Sequence, residues 1–284
     1  MFPLLSSIPS PASGVLVIGP LRLTAYGVMI ALGIVAAVSL AGRRLESSRA
    51  GTRDDMASIA LWAVVAGVVG ARLYHVATDW SRFSNDLGRV PLIWKGGLGI
   101  PGGLLAGVVV GAVVARRRGV PVPELLTAVA PAIPLAQAIG RWGNWWNQEL
   151  FGRATDLPWA LEISADNVPA RYPAGTTFHP TFLYESIWSL ALCVVLLQIE
   201  RRWPVRPGRL FAYYLAGYFA GRFWIEALRI DPAHVLGPFR LNQWVALAVV
   251  TSAVAYLVFD GARGRQRPSA EPTAASLELE KLMP

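Results

Sequence analysis

The stretch from Leu23 to Gly42, LTAYGVMIALGIVAAVSLAG, contains no charged residue over twenty positions. A helix rises about 1.5 Å per residue, so twenty apolar residues cover the roughly 30 Å hydrocarbon core of a bilayer. Two further uncharged stretches, Gly97 to Ala115 and Leu241 to Phe259, have nineteen residues each. These three segments predict transmembrane helices, and the chain is expected to be a membrane protein.

Four more apolar segments carry charges inside or at one end. They are Met56 to Val76 with Arg72, Leu125 to Gly140 followed by Arg141, Thr181 to Ile199 with Glu185, and Leu210 to Leu228 with Arg222 and Glu226. A charge at mid-bilayer costs about 2.5 to 3.5 kcal/mol, so it normally faces a cavity or a partner. The sequence therefore predicts an all-α polytopic membrane protein with seven transmembrane helices, and function is expected where charges interrupt them.

The composition agrees with this fold class. Hydrophobic residues make up 54% of the chain and charged residues 15%, against about 25% charged residues in soluble domains. The net charge of +8 comes from basic residues that lie between apolar stretches, so no nucleic-acid partner is expected. Cys193 is the only cysteine and sits in an apolar run, which excludes a disulfide framework.

The basic residues divide unevenly between alternate loops. One set holds fourteen: Arg43, Arg44, Arg49, Arg53, Arg116, Arg117, Arg118, Arg201, Arg202, Arg206, Arg209, Arg263, Arg265 and Arg267. The other set holds seven: Arg82, Arg89, Lys95, Arg153, Arg171, Arg229 and Arg240. The positive-inside rule predicts an amino terminus outside the cell and a carboxyl terminus in the cytoplasm.

The chain is expected to have three parts. Residues 1–20 are predicted to form an arm on the outer surface, and residues 21–259 the seven-span membrane domain. Within that domain, about 142–178 is too long and too rich in Trp, Pro and Gly for a passive connector, and is expected to form a small folded extracytoplasmic cap. Residues 260–284 are polar and contain proline, which predicts a disordered cytoplasmic tail.

The densest polar motif is GRWGNWWNQELFG, from Gly140 to Gly152, where the fourth span meets the outer surface. A planar arginine that can bind phosphate through two hydrogen bonds, with amides and a carboxylate to fix its rotamer, suits a site for a lipid phosphate. The alternative is a structural belt, in which the tryptophans mark the membrane interface and Arg141 extends to the headgroups. A belt does not require Asn144, Asn147 or Glu149.

This run resembles the signature of the prolipoprotein diacylglyceryl transferase family, Gly-Arg-x-Gly-Asn-x-x-Asn-x-Glu-x-x-Gly, at every fixed position. The resemblance extends over nearly the whole chain, in Leu21-Arg22 with Tyr26-Gly27, Gly70-Ala71-Arg72, Gly96-Gly97-Leu98 with Gly102-Gly103, His179 to Glu185, and Gly221-Arg222 with Glu226, Arg229 and Asp231-Pro232.

The resemblance implies an enzyme of the bacterial cytoplasmic (inner) membrane that catalyses the first step of lipoprotein maturation. Such an enzyme joins the diacylglyceryl group of phosphatidylglycerol to the thiol of the lipobox cysteine of a prolipoprotein, forming a thioether and releasing glycerol phosphate. The implied partners are phosphatidylglycerol, the lipobox segment and membrane lipids, and no cofactor is implied.

Fixed cations should stabilise the departing phosphate, and Arg141 and Arg222 are the candidates. Tyr218, Arg222 and Glu226 are spaced by four and share a helix face, with Arg229 three residues beyond. The alternative is a structural role, in which the Arg222–Glu226 pair holds this span against another one. The predicted catalytic residues are Arg141, Arg222, Glu149, Asn144 and Tyr26. The predicted substrate-binding residues are Arg141, Asn144, Asn147, Tyr218, Glu226, Arg229, Gly102 and Gly103.

Other polar residues have weaker signals. Arg72 is either a positioning residue or a snorkelling arginine at a span end. His179 and Glu185 are interpreted as a structural link between the outer loop and the fifth span. The three histidines, His75, His179 and His234, lack metal-ligand spacing, so no metal is predicted.

Pro101 departs from the family pattern, because many members carry there the histidine proposed to deprotonate the thiol. A thiol near its ordinary pKa of about 8.5 is mostly protonated at neutral pH, so another group must activate it here. Two other functions stay open, the first because of Pro101 and the second because of the charged residues inside the predicted spans. One is a catalytically impaired homologue that only binds lipid or lipoprotein, and the other is a polytopic transporter.

Overall fold

The computed structural model describes residues 7–18, 21–93 and 96–265, and these residues are mostly helical. The helices within them are α1 (Ala25–Ser47), α2 (Arg53–Thr78), α3 (Ile100–Arg117), α4 (Val122–Val129), α5 (Ala132–Gly140), α6 (Trp142–Asn147), α7 (Thr181–Arg202), α8 (Arg209–Leu228) and α9 (Leu241–Arg265). Among them α1, α2, α3, α7 and α9 are long and apolar enough to cross a membrane. The chain is therefore a polytopic membrane protein.

The predicted fourth span, Leu125 to Gly140, is broken. The chain bends by 41° between α4 and the helical stretch that follows it, because Pro131 has no N–H to donate and clashes with the preceding turn. Arg44 satisfies carbonyl groups beside the break, donating from Nε to the Ala128 carbonyl and from Nη2 to the Thr127 carbonyl, each at 3.0 Å. Counting the bent pair as one span gives six candidate spans.

The helix α8 coincides with the predicted sixth span but is less apolar than the other five. It is twenty residues long, enough to cross a bilayer, yet it contains three tyrosines together with Arg222 and Glu226. The structure confirms the helix, and the count of seven spans stays a prediction.

Helices α2 and α3 approach each other through glycines. A Cβ atom at Gly70 would lie 2.4 Å from the Ala106 Cβ and 2.6 Å from the Gly102 carbonyl oxygen. A Cβ at Gly103 would lie 3.0 Å from the Gly67 carbonyl oxygen. Small residues of this kind allow helix backbones to pack closely in lipid.

The segment 148–180 folds as a small unit with its own apolar core. Strands β3 (Leu161–Glu162) and β4 (Thr177–Phe178) pair antiparallel, and Phe151, Leu161 and Phe178 pack together in its centre against Phe182 of α7. The amino-terminal residues lie on it, since the Ile8 N–H donates to the Ala160 carbonyl at 2.6 Å. The segment predicted to form an extracytoplasmic cap, about 142–178, has its first residues in α6 and most of the others in this unit, and its position outside the cell stays a prediction.

Two short strand pairs complete the fold. Strand β1 (Val15–Ile18) pairs with β2 (Leu21–Thr24), and β5 (Val235–Leu236) pairs with β6 (Phe239–Arg240). Helix α9 continues to Arg265, so the predicted disordered tail begins too early at 260, and the rest of it, 266–284, lies outside the described residues. Residues 1–6 and 19–20 of the predicted arm also lie outside them.

Candidate active site

One buried carboxylate, Glu185 near the start of α7, binds two arginines from different helices. Its Oε1 accepts a hydrogen bond from Arg222 Nη1 at 2.8 Å, and its Oε2 forms an ion pair with Arg141 Nε. Arg141 lies at the junction of α5 and α6, and Arg222 lies in α8. Glu185 thus brings together the two arginines that the sequence predicted as the catalytic cations.

A second carboxylate, Glu226, is fully buried and holds the other side of Arg222. Arg222 Nη2 lies 2.6 Å from Glu226 Oε2, the pair expected from their spacing of four along α8. Arg240 Nε lies 3.2 Å and Arg229 Nη1 3.9 Å from the same carboxylate, and Asn242 donates to it at 3.2 Å. Arg222 is thus held between Glu185 on one side and Glu226 on the other.

Asp231, beyond the end of α8, binds the outer two arginines. Arg229 Nε donates to its Oδ1 at 2.7 Å, and Arg240 Nη2 lies 3.2 Å from its Oδ2. Burial alone would raise the pKa of Asp231, but the hydrogen bond from Arg229 and the charges of Arg229 and Arg240 outweigh it and hold the pKa below its ordinary value. Asp231 is therefore ionised at neutral pH.

These side chains form one network, which we call the arginine cluster: Arg141, Arg222, Arg229, Arg240, Glu185, Glu226 and Asp231. Four guanidinium groups against three carboxylates leave one positive charge in excess. A partly buried excess charge of this sign attracts an anionic ligand such as a phosphate ester.

The amides of the signature run bind its own carboxylate. Asn144 Nδ2 donates to Glu149 Oε1 at 2.9 Å, and Asn147 Nδ2 donates to the same oxygen at 3.2 Å. Gln148 adopts a left-handed backbone conformation with φ of 51° and ends α6, which turns the chain so that Glu149 meets Asn144. The amides and Glu149 were expected to fix the rotamer of Arg141, and the structure shows Glu185 bound to Arg141 instead.

Two tyrosines lie beside Arg141. The hydroxyls of Tyr218 and Tyr26 are close enough to its guanidinium to interact with its charge. Tyr26 also packs on the signature helix, since a Cβ at Gly143 would lie 2.5 Å from its ring. Both tyrosines predicted for the site are therefore beside Arg141.

The chain is similar to known proteins over most of its length. It matches the model of the family described as prolipoprotein diacylglyceryl transferase over residues 13–259. A Streptomyces coelicolor protein named phosphatidylglycerol–prolipoprotein diacylglyceryl transferase 1 is 49% identical over 271 residues, which cover 94% of this chain and 77% of the relative. A Cutibacterium acnes protein named phosphatidylglycerol–prolipoprotein diacylglyceryl transferase is 48% identical, with 89% and 86% covered.

This chain belongs to the prolipoprotein diacylglyceryl transferase family. The family signature accordingly spans α6 and the start of the folded segment, and its arginine is the one that Glu185 binds. In this member of the family, Trp142 Nε1 donates to the Ser186 hydroxyl and Trp145 Nε1 to the Pro9 carbonyl, each at 3.2 Å. These tryptophans hold α6 against the protein, a role that a lipid-facing belt does not require.

Three residues of the arginine cluster in this transferase-family chain were missed as site residues by sequence reasoning, and one of them, Asp231, entered only through the family resemblance. Glu185 was interpreted as structural, although a carboxylate inside a span already indicated a cationic partner. Arg240 was counted only as a loop cation. Neither pairing has a local pattern, because Glu185 precedes Arg222 by 37 positions in the chain.

Gly102 and Gly103, which were predicted to bind substrate, lie in the contact between α2 and α3. A Cβ at Gly102 would lie 2.3 Å from the Tyr74 Cβ, so the lack of a side chain serves helix packing. Arg72 is buried and bonded to backbone carbonyls, which agrees with a positioning role and excludes snorkelling. Both glycines therefore serve helix packing, and their contact with substrate stays a prediction.

His179 lies at the entry to α7 in a structural setting. Its Nδ1 is 3.1 Å from the Tyr184 hydroxyl, which also accepts a hydrogen bond from Trp159 Nε1 at 3.0 Å. Burial, together with the charge of Arg153, lowers the pKa of His179. The ring is therefore neutral at neutral pH, and it links the folded segment to α7 as expected.

Proposed function

We propose that the protein transfers the diacylglyceryl group of phosphatidylglycerol to the thiol of a prolipoprotein lipobox cysteine, forming a thioether and releasing glycerol phosphate. The relatives are named for phosphatidylglycerol and prolipoprotein. The observation that carries the proposal is the pair of guanidinium groups, Arg141 and Arg222, held on the single carboxylate of Glu185.

In this reaction the sulfur forms a bond to the third glycerol carbon while the bond from that carbon to the phosphate oxygen breaks. The bonding electrons leave with the phosphate, whose negative charge grows in the transition state. Fixed guanidinium groups stabilise such charge without reorganising. Because ion pairs hold Arg222 on two sides, we assign it and Arg141 to the departing phosphate.

The same cations serve the thiol. Pro101 stands where many family members carry a histidine, so we propose that the excess positive charge of the arginine cluster lowers the thiol pKa and favours the thiolate. The proton passes to solvent or to Glu149, whose carboxylate is already placed by two amides. Asn144, Asn147, Tyr26 and Tyr218 then shape the site around the reacting groups.

The proposed membrane arrangement has seven spans, with α8 and the bent α4–α6 region included. The amino terminus and the 148–180 segment lie outside the cell, and the carboxyl terminus lies in the cytoplasm. The excess of basic residues in the loops after α1, α3, α7 and α9 supports this orientation. We place the protein in the bacterial cytoplasmic membrane, with residues 1–20 as an outer arm and the residues after α9 as a cytoplasmic tail.

The direct test incubates purified protein with phosphatidylglycerol and a lipobox peptide and detects the thioether product by mass spectrometry. Arg141→Lys is expected to lower the rate about 100-fold to 1,000-fold, because an ammonium group cannot make two parallel hydrogen bonds to phosphate. Arg171→Lys, at an exposed arginine of the folded segment, is the matched control and should keep full activity. Near-normal turnover of Arg141→Lys would remove Arg141 from the site.

The source of thiol activation is tested by a variant without histidine. His75, His179 and His234 are changed together to Gln and compared with Arg222→Gln between pH 6 and 9. The histidine-free protein is expected to stay active, whereas Arg222→Gln should lose activity most strongly at the acidic end. If the histidine-free variant folds but is inactive while Arg222→Gln remains active, electrostatic activation is wrong and a histidine is the base.

A further inference from the structure

A small cavity lies at the end of α2, outside the arginine cluster. Its volume is about 180 Å³, and its lining includes Arg72, His75, Arg82 and Arg89. We propose that this cavity, called here the Arg72 cavity, binds the phosphate group of a glycerophosphate, either as a phospholipid headgroup or as a soluble ester. The proposal does not depend on the transfer reaction.

Arg72 carries a buried positive charge that can attract a phosphate. This side chain is only 6% exposed, and no carboxylate lies within ion-pair distance of it among residues 7–18, 21–93 and 96–265. It donates to the carbonyls of Val90, Gly96, Gly97 and Arg89 at 2.8, 2.6, 2.9 and 2.7 Å. Carbonyl dipoles satisfy its hydrogen bonds but do not cancel its charge, and a buried charge is normally paired.

Two glycines, Gly96 and Gly97, form a loop that leaves the cavity open. Gly96 and Gly97 have φ angles of 85° and 79°, which side chains rarely adopt, and both of their carbonyls face Arg72. A Cβ at Gly97 would lie 2.3 Å from His75 Nε2 and 3.0 Å from Arg72 Nη1. Any side chain here would fill the space beside Arg72 and His75.

Two further arginines, Arg82 and Arg89, add positive charge to the lining of the cavity. Arg82 and Arg89 are exposed and stand at the rim of the cavity. The two nearby carboxylates are engaged: Asp79 Oδ2 is 3.0 Å from His75 Nδ1, and Asp86 Oδ1 accepts from the Gly88 N–H at 3.1 Å. Guanidinium groups with spare donors around one space are a common means of binding phosphate.

The size and position fit the same ligand. A volume of about 180 Å³ has room for a phosphate group and not for acyl chains. The Arg72 cavity lies at the end of α2 that is adjacent to the start of α1, because α1 and α2 are antiparallel neighbours joined by a short turn. Tyr26 lies at that start of α1, and guanidinium groups at a membrane surface bind the phosphate of a lipid headgroup as they bind other phosphates.

The test counts bound phosphate esters by native mass spectrometry on the purified full-length protein in detergent. One arm titrates glycerol 1-phosphate, and the other titrates short-chain phosphatidylglycerol against phosphatidylcholine. The variant Arg82→Gln/Arg89→Gln removes two exposed cations and leaves Arg72 and its loop intact. We expect it to bind one ester at least tenfold more weakly than the wild type in one or both arms, and Arg82→Lys/Arg89→Lys to recover part of the loss.

The matched control is Arg43→Gln/Arg117→Gln, which removes two exposed arginines at the opposite end of α1 and α3 and should bind as the wild type does. A loss only with glycerol phosphate identifies a soluble ester, and a loss only with phosphatidylglycerol identifies a lipid headgroup. Equal binding by wild type and Arg82→Gln/Arg89→Gln in both arms overturns the proposal. An equal loss in the Arg43→Gln/Arg117→Gln control also overturns it, since net charge alone would then explain the effect.

Discussion

Arg72 and Arg222 are both buried arginines, yet opposite kinds of partner hold them. Arg222 is bound by the carboxylates of Glu185 and Glu226, which come from two helices. Arg72 is bound by four backbone carbonyls of the segment between α2 and α3. The first arrangement nearly neutralises its arginines, and the second leaves a full charge in place.

The protein thus uses a buried arginine side chain in two different ways. In the arginine cluster, ion pairs between helices set the orientation of each guanidinium, so position and stability depend on the carboxylates. At Arg72, the side chain organises a loop through hydrogen bonds, and its charge remains available to a ligand. Substitutions that remove one kind of partner at a time should therefore have different effects.

The largest effect is expected from Glu226→Gln, which deletes a fully buried charge surrounded by arginines. The unfolding free energy should fall by about 3 to 5 kcal/mol, because the guanidinium groups of Arg222 and Arg240 would stay buried without their anion. Unfolding in detergent measures this. Glu46→Gln breaks an exposed pair with Arg53 at 2.6 Å and should cost at most about 1 kcal/mol. Equal losses in the two variants would contradict the special role of Glu226.

A smaller effect is expected from Arg72→Lys, which keeps the charge but loses the fork of donors. An ammonium group cannot reach carbonyls spread from Arg89 to Gly97, so at least one hydrogen bond to a charged group is lost, at about 1.5 to 3 kcal/mol. The unfolding transition measures the change, with exposed Arg43→Lys as the control. If Arg72→Lys is as stable as the wild type, the loop does not depend on the guanidinium.

The smallest effect concerns pH and separates the two regions directly. The pKa of Asp231 is lowered in the folded protein, so the folded state binds fewer protons than the unfolded state near the ordinary value of 3.8. Asp231 therefore adds stability above that value, and this contribution is lost as the pH falls through the lowered pKa. Asp231→Asn should flatten the acid side of the stability profile, whereas Arg72→Lys should leave its shape unchanged. A profile unchanged by Asp231→Asn would show that its ion pairs add no stability.

The sequence predicts the features that depend on local pattern. Long uncharged runs predict membrane helices because length and hydropathy suffice, and the four-residue spacing of Arg222 and Glu226 predicts their contact within α8. The bend between α4 and α5 was also accessible in principle, since Pro131 removes a helix hydrogen bond. It was missed because the apolar run continues through it.

The partners that hold Arg141 are not accessible in this way. Glu149 lies eight residues from Arg141 and was its expected partner, but Gln148 turns the chain and directs Glu149 to the amides of Asn144 and Asn147. Glu185 reaches Arg141 only because α5 packs against α7. Contacts between helices of this kind depend on packing geometry, which hydropathy and residue spacing do not encode.

The glycine contact between α2 and α3 has a consequence for biogenesis. Helices in a bilayer associate by close packing and not by escaping water, and the approach of Gly70 to Gly102 requires no residue from any other helix. These two neighbours in the chain can therefore join as a hairpin as soon as both have been inserted, while later helices are still being synthesised. The hairpin carries Arg72 and the loop that binds it, so this corner of the protein can form early, before the ion pairs between distant helices.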